Sequence, residues 1–291
     1  MRELTGRTAV ITGGASGIGL AMARAFGERG MRLVLADVQA DALERAAEEL
    51  RASGVEAIAV ATDVTEYDAV QALAVASAEH FGAVHVLVNN AGVSITWPIW
   101  ELTLDDWRWV HDVNVWGVIH GIKAFVPALI AHGEPAHVIN TASLAAFSGT
   151  GDHSPYCSSK AAVLSISQSL YSELRAWDTR VGVSVVCPGM VDTRIHESWR
   201  NRPEGDVPWS DREWNDEQHQ AGSHAFQGSG VPPEEIARLT LEALTEDRFY
   251  VFNGPTWPDF MRRQAEVLAV AANPPVVTWG RDLRPAASRG A

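Results

Sequence analysis

The sequence has little of several features that would indicate a specialised class of protein. Its 291 residues include only two cysteines, Cys157 and Cys187, which fits a reduced cytoplasmic protein better than a disulfide-stabilised one. No apolar run approaches the roughly 20 residues that a membrane-spanning helix needs, and the amino terminus lacks a secretory signal. Basic residues are also scarce, because 23 Lys and Arg face 36 Asp and Glu, for a formal net charge of −13. We therefore expect a cytoplasmic protein without a membrane or nucleic-acid partner.

The ten histidines give no indication of a metal site. None shows the His-x-x-x-His spacing with a carboxylate partner that is typical of zinc proteins. We therefore expect no metal ion in this protein.

Short apolar strands alternate with helical patterns along most of the chain. Strands are predicted at residues 7–11, 31–36, 55–61, 84–88, 136–141, 181–186 and 249–252. Helices are predicted from the glycine run to Arg29 and at residues 41–53, 66–81, 103–132, 156–177 and 232–244, with an interruption near Pro127. The alternation predicts a doubly wound parallel sheet, a Rossmann-type three-layer α/β/α fold, in a single domain over residues 1–260.

The alternation fails after Thr193. Residues 196–230 are polar but contain Trp199, Trp209 and Trp214, so we predict a lid over a substrate site. Residues 261–291 are predicted to form a carboxy-terminal extension. From residue 273 it is rich in Pro, Ala and Arg, which predicts a mobile tail that could become ordered on a partner subunit.

Tyr156 and Lys160 form an unusual pair for burial. They stand four residues apart, so on a helix they lie one turn apart on the same face. A nearby ammonium favours the phenolate and lowers a tyrosine pKa that is otherwise about 10. The pair therefore predicts a tyrosine that exchanges a proton near neutral pH.

A glycine run follows the first strand and opens a helix, as in dinucleotide-binding folds. Its small residues would let the backbone approach a pyrophosphate at the helix amino terminus, and the candidate contacts are Gly13, Ser16, Gly17, Ile18 and Gly19. The alternative is tight strand-to-helix packing. Asp37 ends the second strand, where a carboxylate accepts hydrogen bonds from ribose hydroxyls and repels a 2′-phosphate. Because neither Ser16 nor Val38 is basic, the sequence favours NAD over NADP as cofactor.

Further motifs occur in one order along the chain: the glycine run, Asn89-Asn90-Ala91-Gly92, Ser143, Tyr156-x-x-x-Lys160 and Pro188-Gly189. Together they resemble the single-domain short-chain dehydrogenase/reductase family over about residues 4–255. The resemblance implies that Ser143 hydrogen-bonds the substrate oxygen, Tyr156 exchanges a proton with it, and Lys160 binds the nicotinamide ribose and lowers the tyrosine pKa. It also implies that Asn114 lies where a water of the proton relay is held, although a helix residue bonded to nearby backbone is the alternative. The other matching positions would contact the cofactor: Asp63 and Val64 beside the adenine, Asn90, Ala91 and Gly92 along its length, and Pro188, Gly189 and Thr193 around the nicotinamide.

The expected function is that of an NAD-dependent oxidoreductase, an alcohol dehydrogenase or ketone reductase. It would interconvert a secondary alcohol and its ketone, with Tyr156 as general acid and base. The substrate pocket would be formed after Gly92, after Ser143, at Met190 and by residues 196–230, and its composition predicts a fairly apolar substrate, with cyclic alcohols among the candidates. The alternatives are a dehydratase, epimerase or dehalogenase on the same scaffold, or a non-catalytic nucleotide-binding regulator. The resemblance also implies a homo-oligomer, a tetramer or dimer.

Two further groups of residues have simpler interpretations. His153 precedes Tyr156 by three residues, and a solvent-facing or capping histidine is favoured over one in the substrate pocket. For the tryptophans near the long helix, packing in the core or in an interface is favoured over stacking on a substrate. These are Trp97, Trp100, Trp107, Trp109 and Trp116.

Overall fold

The computed structural model describes residues 1–202 and 230–276. Within these residues, seven parallel strands form one sheet in the order β3-β2-β1-β4-β5-β6-β7. The strands are β1 (Thr8–Thr12), β2 (Arg32–Asp37), β3 (Ala57–Ala61), β4 (Val86–Asn89), β5 (Ala136–Thr141), β6 (Val181–Val186) and β7 (Tyr250–Val251). The order reverses beside β1, so the first strand pairs with both β2 and β4. The strands' carboxyl ends diverge there and leave a crevice for a ligand.

The central strands are apolar along their whole length because helices cover both faces of the sheet. Every residue of β1, β5 and β6 is buried, including alternate positions that an exposed sheet face would make polar. Eight helices of the described chain pack around the sheet: α1 (Gly17–Gly27), α2 (Ala40–Ala52), α3 (Tyr67–Phe81), α4 (Leu104–His111), α5 (Gly117–Ala131), α6 (Ser154–Ala176), α7 (Pro233–Glu246) and α8 (Trp257–Ala269). The predicted fold class, a single doubly wound α/β/α domain, is confirmed.

Two apolar layers hold the helices to the sheet. On one face Phe26 of α1, Leu43 of α2 and Ile236 of α7 pack in one buried cluster. On the other face Leu73 of α3 and Phe125 of α5 pack in a second cluster that includes α6 residues. At about 25 cal/mol per Å² of apolar surface, these layers supply the main favourable term in folding. They fix the strand ends from which the site is built.

The long helix predicted over residues 103–132 is divided, but not where the sequence suggested. A π-helical turn, Asp112–Trp116, separates α4 from α5, whereas α5 continues through Pro127. A capping box between Thr103 and Asp106 starts α4. The π turn adds a residue to one turn, a device that recurs at functional sites because it re-aims a side chain. Here it carries Asn114.

The helical stretch of residues 104–131 is long and apolar enough to cross a membrane by length and composition. It lies against α3 and α6 in the layer beside the sheet. A helix packed into a protein core has the same composition, so this one is weak evidence for a membrane segment.

The carboxy-terminal part contains an element that the sequence did not predict. Helix α8 spans residue 260, where the predicted domain ends, and none of its residues is buried. Of the predicted lid, the short 3₁₀ segment Arg194–Asn201 and the residues next to the gap are described. Residues 203–229 of the lid and residues 277–291 of the tail lie outside the described residues.

Candidate active site

A cleft of about 830 Å³ runs along the carboxyl ends of the strands. It is lined by sixteen of the predicted site residues: Gly13, Ser16, Gly17, Ile18, Asp37, Asp63, Val64, Asn90, Ala91, Gly92, Ser143, Tyr156, Lys160, Pro188, Gly189 and Thr193. Two predicted residues, Gly19 and Asn114, lie behind the cleft wall instead. Parallel strands gather their carboxyl ends at one edge, which is why motifs far apart in sequence meet here.

The glycines of the first turn serve different purposes. A Cβ on Gly13 would lie 2.9 Å from the Cα of Ala91, and one on Gly19 would lie 2.1 Å from the carbonyl oxygen of Gly13. Both glycines are therefore required for close packing of the turn, and the contact of Gly19 with a cofactor stays a prediction. Gly17 has φ of +53° and borders the cleft opposite Thr193, so it combines a left-handed backbone with access to a ligand.

Asp37 lies at the end of β2 and closes one end of the cleft. Its carboxylate accepts hydrogen bonds from the backbone N–H groups of Ala15 (3.2 Å) and Gln39 (3.0 Å). These bonds hold the carboxylate beside the glycine turn. An anion fixed there can accept hydrogen bonds from hydroxyl groups and repels a second anion.

Thr12 and Asn90 tie the first and fourth strand ends together. The Thr12 hydroxyl accepts hydrogen bonds from the N–H groups of Asn90 (3.0 Å) and Ala91 (3.1 Å), and the Asn90 amide donates to the Thr12 carbonyl. Because these polar groups satisfy one another, the floor of the cleft keeps a single shape.

Ser143, Tyr156 and Lys160 converge in the middle of the cleft. The Ser143 hydroxyl accepts from the Ala145 N–H (3.1 Å) and is hydrogen-bonded to the Tyr156 side chain. Lys160 Nζ, only 3% exposed, donates to the Thr141 carbonyl (2.8 Å) and lies 5.7 Å from the centre of the Tyr156 ring. Tyr156 and Lys160 occupy successive turns of α6, and Pro155 at its start favours the helix there. The expected juxtaposition is present.

The pKa values of this pair are dominated by burial. Burial raises the pKa of Tyr156 to about 12, and its hydrogen bond with Ser143 opposes the rise. Burial also lowers the pKa of Lys160 to about 8. The protein's own groups therefore do not lower the tyrosine pKa as the sequence predicted, because desolvation of the phenol outweighs the Ser143 hydrogen bond that lowers it.

Asn114 hydrogen-bonds both the segment after β4 and helix α6 behind the cleft. Its side-chain oxygen accepts from the Val93 N–H (2.8 Å), and its amide donates to the Val93 carbonyl (3.0 Å) and to the Ser159 hydroxyl (2.9 Å). A Cβ built on Gly92 would lie 3.4 Å from both the Asn114 side-chain oxygen and Lys160 Nζ, which places the asparagine beside the lysine. The bonds to nearby backbone match the alternative reading of Asn114, and the water relay remains a prediction.

His153 is not solvent-facing and makes no capping bond. It is 7% exposed, lines the cleft, and hydrogen-bonds Asp152 (2.8 Å) and Thr96 (3.1 Å). Asp152 has φ of +64°, a left-handed turn that directs the next residue inwards. In the sequence, only the adjacent Asp152-His153 pair before the helix indicated that this histidine could be held inside the cleft.

The tryptophans divide between the core and the surface. Trp109 is buried with Val93 and Ile95, as the packing interpretation predicts. Trp100 and Trp116 are 72% and 51% exposed, so they pack in no core formed by residues 1–202 and 230–276.

Sequence reasoning missed one cleft residue and the position of two others. Asn253, just after β7, accepts a hydrogen bond from the Gly189 N–H (2.8 Å) and thereby orients the turn after β6. Arg200 and Asn201 line the cleft, as predicted for residues 196–230, but Asn201 is hydrogen-bonded to Gln39, two residues after Asp37. No local pattern links either feature to the motifs, because the contacts span more than sixty residues of sequence.

Comparison with known proteins agrees with this geometry. A family model described as short chain dehydrogenase matches residues 7–204. Over 257 residues the chain is 40% identical to a 1-deoxy-11-beta-hydroxypentalenate dehydrogenase of Streptomyces exfoliatus, covering 86% of this chain and 84% of the relative. It is 30% identical over 298 residues to a C alpha-dehydrogenase of Sphingobium sp., covering 97% and 96%. A short chain dehydrogenase/reductase from Burkholderia phymatum, solved in complex with NAD, superimposes with a TM-score of 0.90 at 40% identity, covering 94% and 98%. The chain therefore belongs to the short-chain dehydrogenase family.

Proposed function

We propose that this protein is an NAD-dependent dehydrogenase that interconverts a secondary alcohol and its ketone. The observation that carries the proposal is the convergence of Ser143, Tyr156 and Lys160 in one cleft with Asp37 at its far end. The end at Asp37 can hold a nucleotide ribose, and the middle, at Ser143 and Tyr156, can hold an oxygen that exchanges a proton. Relatives named as dehydrogenases, and a similar structure in complex with NAD, support the same function.

The residues present fit a dinucleotide. Gly13 and Gly17 have positive φ values and leave room for a pyrophosphate at the amino terminus of α1. Asp37 would accept hydrogen bonds from the adenosine ribose, Asp63 and Val64 would flank the adenine, and Lys160 would reach the second ribose. Bound NAD would supply the hydride acceptor and a positive charge on its nicotinamide.

The catalytic roles follow from the side chains at the centre. Ser143 and Tyr156 would both hydrogen-bond the substrate oxygen, which orients it and stabilises its developing charge. Tyr156 would accept the hydroxyl proton during oxidation and donate it during reduction. Burial keeps Tyr156 a neutral phenol at neutral pH, so it is ready there to protonate a ketone oxygen.

The pH dependence should differ between the two directions. Oxidation needs the phenolate, whose pKa is raised, so its rate should rise about tenfold per pH unit while the pH stays well below that pKa. Reduction needs the phenol and should stay level or fall over the same range. Initial rates in both directions, from the near-ultraviolet absorbance of reduced nicotinamide, check this. Parallel profiles would show that Tyr156 is not the exchanging group.

The substrate is expected to be apolar and cyclic. Several apolar side chains line the cleft: Val93, Leu144, Met190 and Ile195. A relative named for a hydroxypentalenate also acts on a hydroxylated compound. Alicyclic secondary alcohols should have kcat/KM at least about tenfold above small polyols, since each buried CH₂ contributes about 0.8 kcal/mol. Steady-state rates across a matched panel test this, and a preference for polyols would contradict it.

Net consumption of NAD separates this function from its alternatives. A dehydratase, epimerase or dehalogenase leaves no net reduced cofactor, and a nucleotide-binding regulator shows no turnover. The cytoplasmic location and the homo-oligomer, tetramer or dimer, remain predictions.

A further inference from the structure

The segment after β6 reaches both ends of the cleft. Near the substrate end, the Ser198 hydroxyl accepts a hydrogen bond from the Ser94 N–H (3.0 Å). Near the adenosine end, Gln39, two residues after Asp37, donates from its side-chain amide to Asn201 (2.9 Å). The 3₁₀ segment Arg194–Asn201 therefore lies across the cofactor part of the cleft and is held to β2's end.

Arg200 places a positive charge at this end of the cleft. Its Nη1 donates to the carbonyls of Arg194 (2.9 Å) and Glu197 (3.0 Å), and the Glu197 carboxylate lies 3.7 Å away. Its Nε is buried with no hydrogen-bond partner within residues 1–202 and 230–276. Arg200 and Asp37 both line the cleft, and they are close enough for the Asp37 charge to act on the guanidinium.

The surroundings of Arg200 explain why its charge remains partly uncompensated. Burial lowers the pKa of Arg200, the neighbouring Arg194 lowers it further, and Glu197 and Asp37 raise it. Glu197 is shared, because it also forms an ion pair with Arg194. A buried arginine that shares its carboxylate partner is stabilised when a second anion binds to the N–H groups of its guanidinium.

Arg200 also changes the basis of cofactor choice. The sequence shows no basic residue at Ser16 or Val38, the local positions from which a 2′-phosphate could be clamped. The tertiary structure brings a cation to the same end from residue 200. Asp37 repels a 2′-phosphate, whereas Arg200 would attract it, so the two side chains act in opposite directions on NADP.

We propose that Arg200 is a second cofactor-specificity residue, which makes Asp37 the single barrier to binding of a 2′-phosphorylated dinucleotide. This inference rests on the proposed function. NAD, which lacks that phosphate, depends mainly on Asp37 and the glycine turn. NADP binds weakly to the natural protein but tightly once the carboxylate is neutralised, provided that Arg200 is present.

The test is a double-mutant cycle read by binding. Dissociation constants for NAD and NADP are measured by calorimetry on the whole chain for wild type, Asp37→Asn, Arg200→Gln and the double variant. Asp37→Asn should tighten NADP by about tenfold or more, and adding Arg200→Gln should remove most of that gain. Arg45→Gln is the matched control, because it removes an arginine that is exposed on α2 and does not line the cleft, so the net charge changes equally while the partners of Arg200 are kept.

The outcomes distinguish the two proposals. Equal NADP affinity in Asp37→Asn and the double variant, or an equal effect of Arg45→Gln, overturns the role of Arg200. Thermal unfolding shows whether Asp37→Asn folds. If it does not, the test compares wild type with Arg200→Gln. The proposal then requires that the ratio of the NADP dissociation constant to the NAD dissociation constant rises at least about threefold on loss of Arg200. A wild-type protein that binds neither dinucleotide overturns the proposed function itself.

Discussion

Replacement of Tyr156 by phenylalanine is expected to lower kcat about 10³-fold and leave NAD affinity within about twofold of wild type. The change removes one hydroxyl, which is hydrogen-bonded to Ser143, and keeps the ring that packs in the cleft wall. Only proton exchange with the substrate oxygen is lost. Steady-state rates on an alcohol that the wild type oxidises, together with calorimetric NAD binding, measure both effects.

Tyr171→Phe is the matched control for this variant. Tyr171 lies on the same helix, α6, and its ring meets Phe249 at 5.1 Å, away from the cleft. Loss of its hydroxyl should change kcat less than twofold, because no reacting group depends on it. Turnover that survives in Tyr156→Phe would assign the proton exchange to another group. No turnover in either variant or in wild type would instead favour a nucleotide-binding regulator.

Replacement of Lys160 by methionine should impair chemistry and cofactor binding together. The ammonium is buried, lies 5.7 Å from the centre of the tyrosine ring and donates to the Thr141 carbonyl. Its loss removes a charge that favours the phenolate and a contact to the ribose, so we expect kcat to fall about 10²-fold and the NAD dissociation constant to rise about tenfold. Rates and binding are measured as for Tyr156, and Lys123→Met, exposed on α5, is the control.

Lys160→Met should not lower the free energy of unfolding, and the pH dependence of that free energy checks this. The pKa of Lys160 is lowered from 10.5 to about 8, so the folded protein releases this proton more readily than the unfolded chain. Its charge opposes folding below about pH 8, and this cost disappears as the pH rises through the window from about 8 to 10.5. Denaturant unfolding compared at about pH 7 and about pH 10 should show wild type gaining stability relative to Lys160→Met. A methionine variant that unfolds more easily at pH 7 would show that its lost activity is structural.

Much of the fold followed from local patterns. Apolar runs of five or six residues separated by amphipathic helices permit parallel pairing, and the structure has that pairing throughout its described sheet. The missed features were of another kind. Helix α8 carries apolar residues at helical spacing, Trp257, Met261 and Leu268, but it buries none of them and follows the last strand, where no further element was assigned; the π turn at Asp112–Trp116 has no periodic signature.

The sequence by itself determined which chemistry-bearing residues lie on one turn or at one strand end. Tyr156 and Lys160 share a helix face because they are four residues apart, and Asp37 meets the glycine turn because β1 and β2 pair in register. The tertiary structure alone decided the burial that sets the pKa values of Tyr156 and Lys160, since desolvation depends on every element around a group. It alone also brought Arg200 to Asp37 across more than 160 residues. Local spacing specifies neighbours within one element, whereas contacts between distant segments exist only after the sheet and its helices have packed.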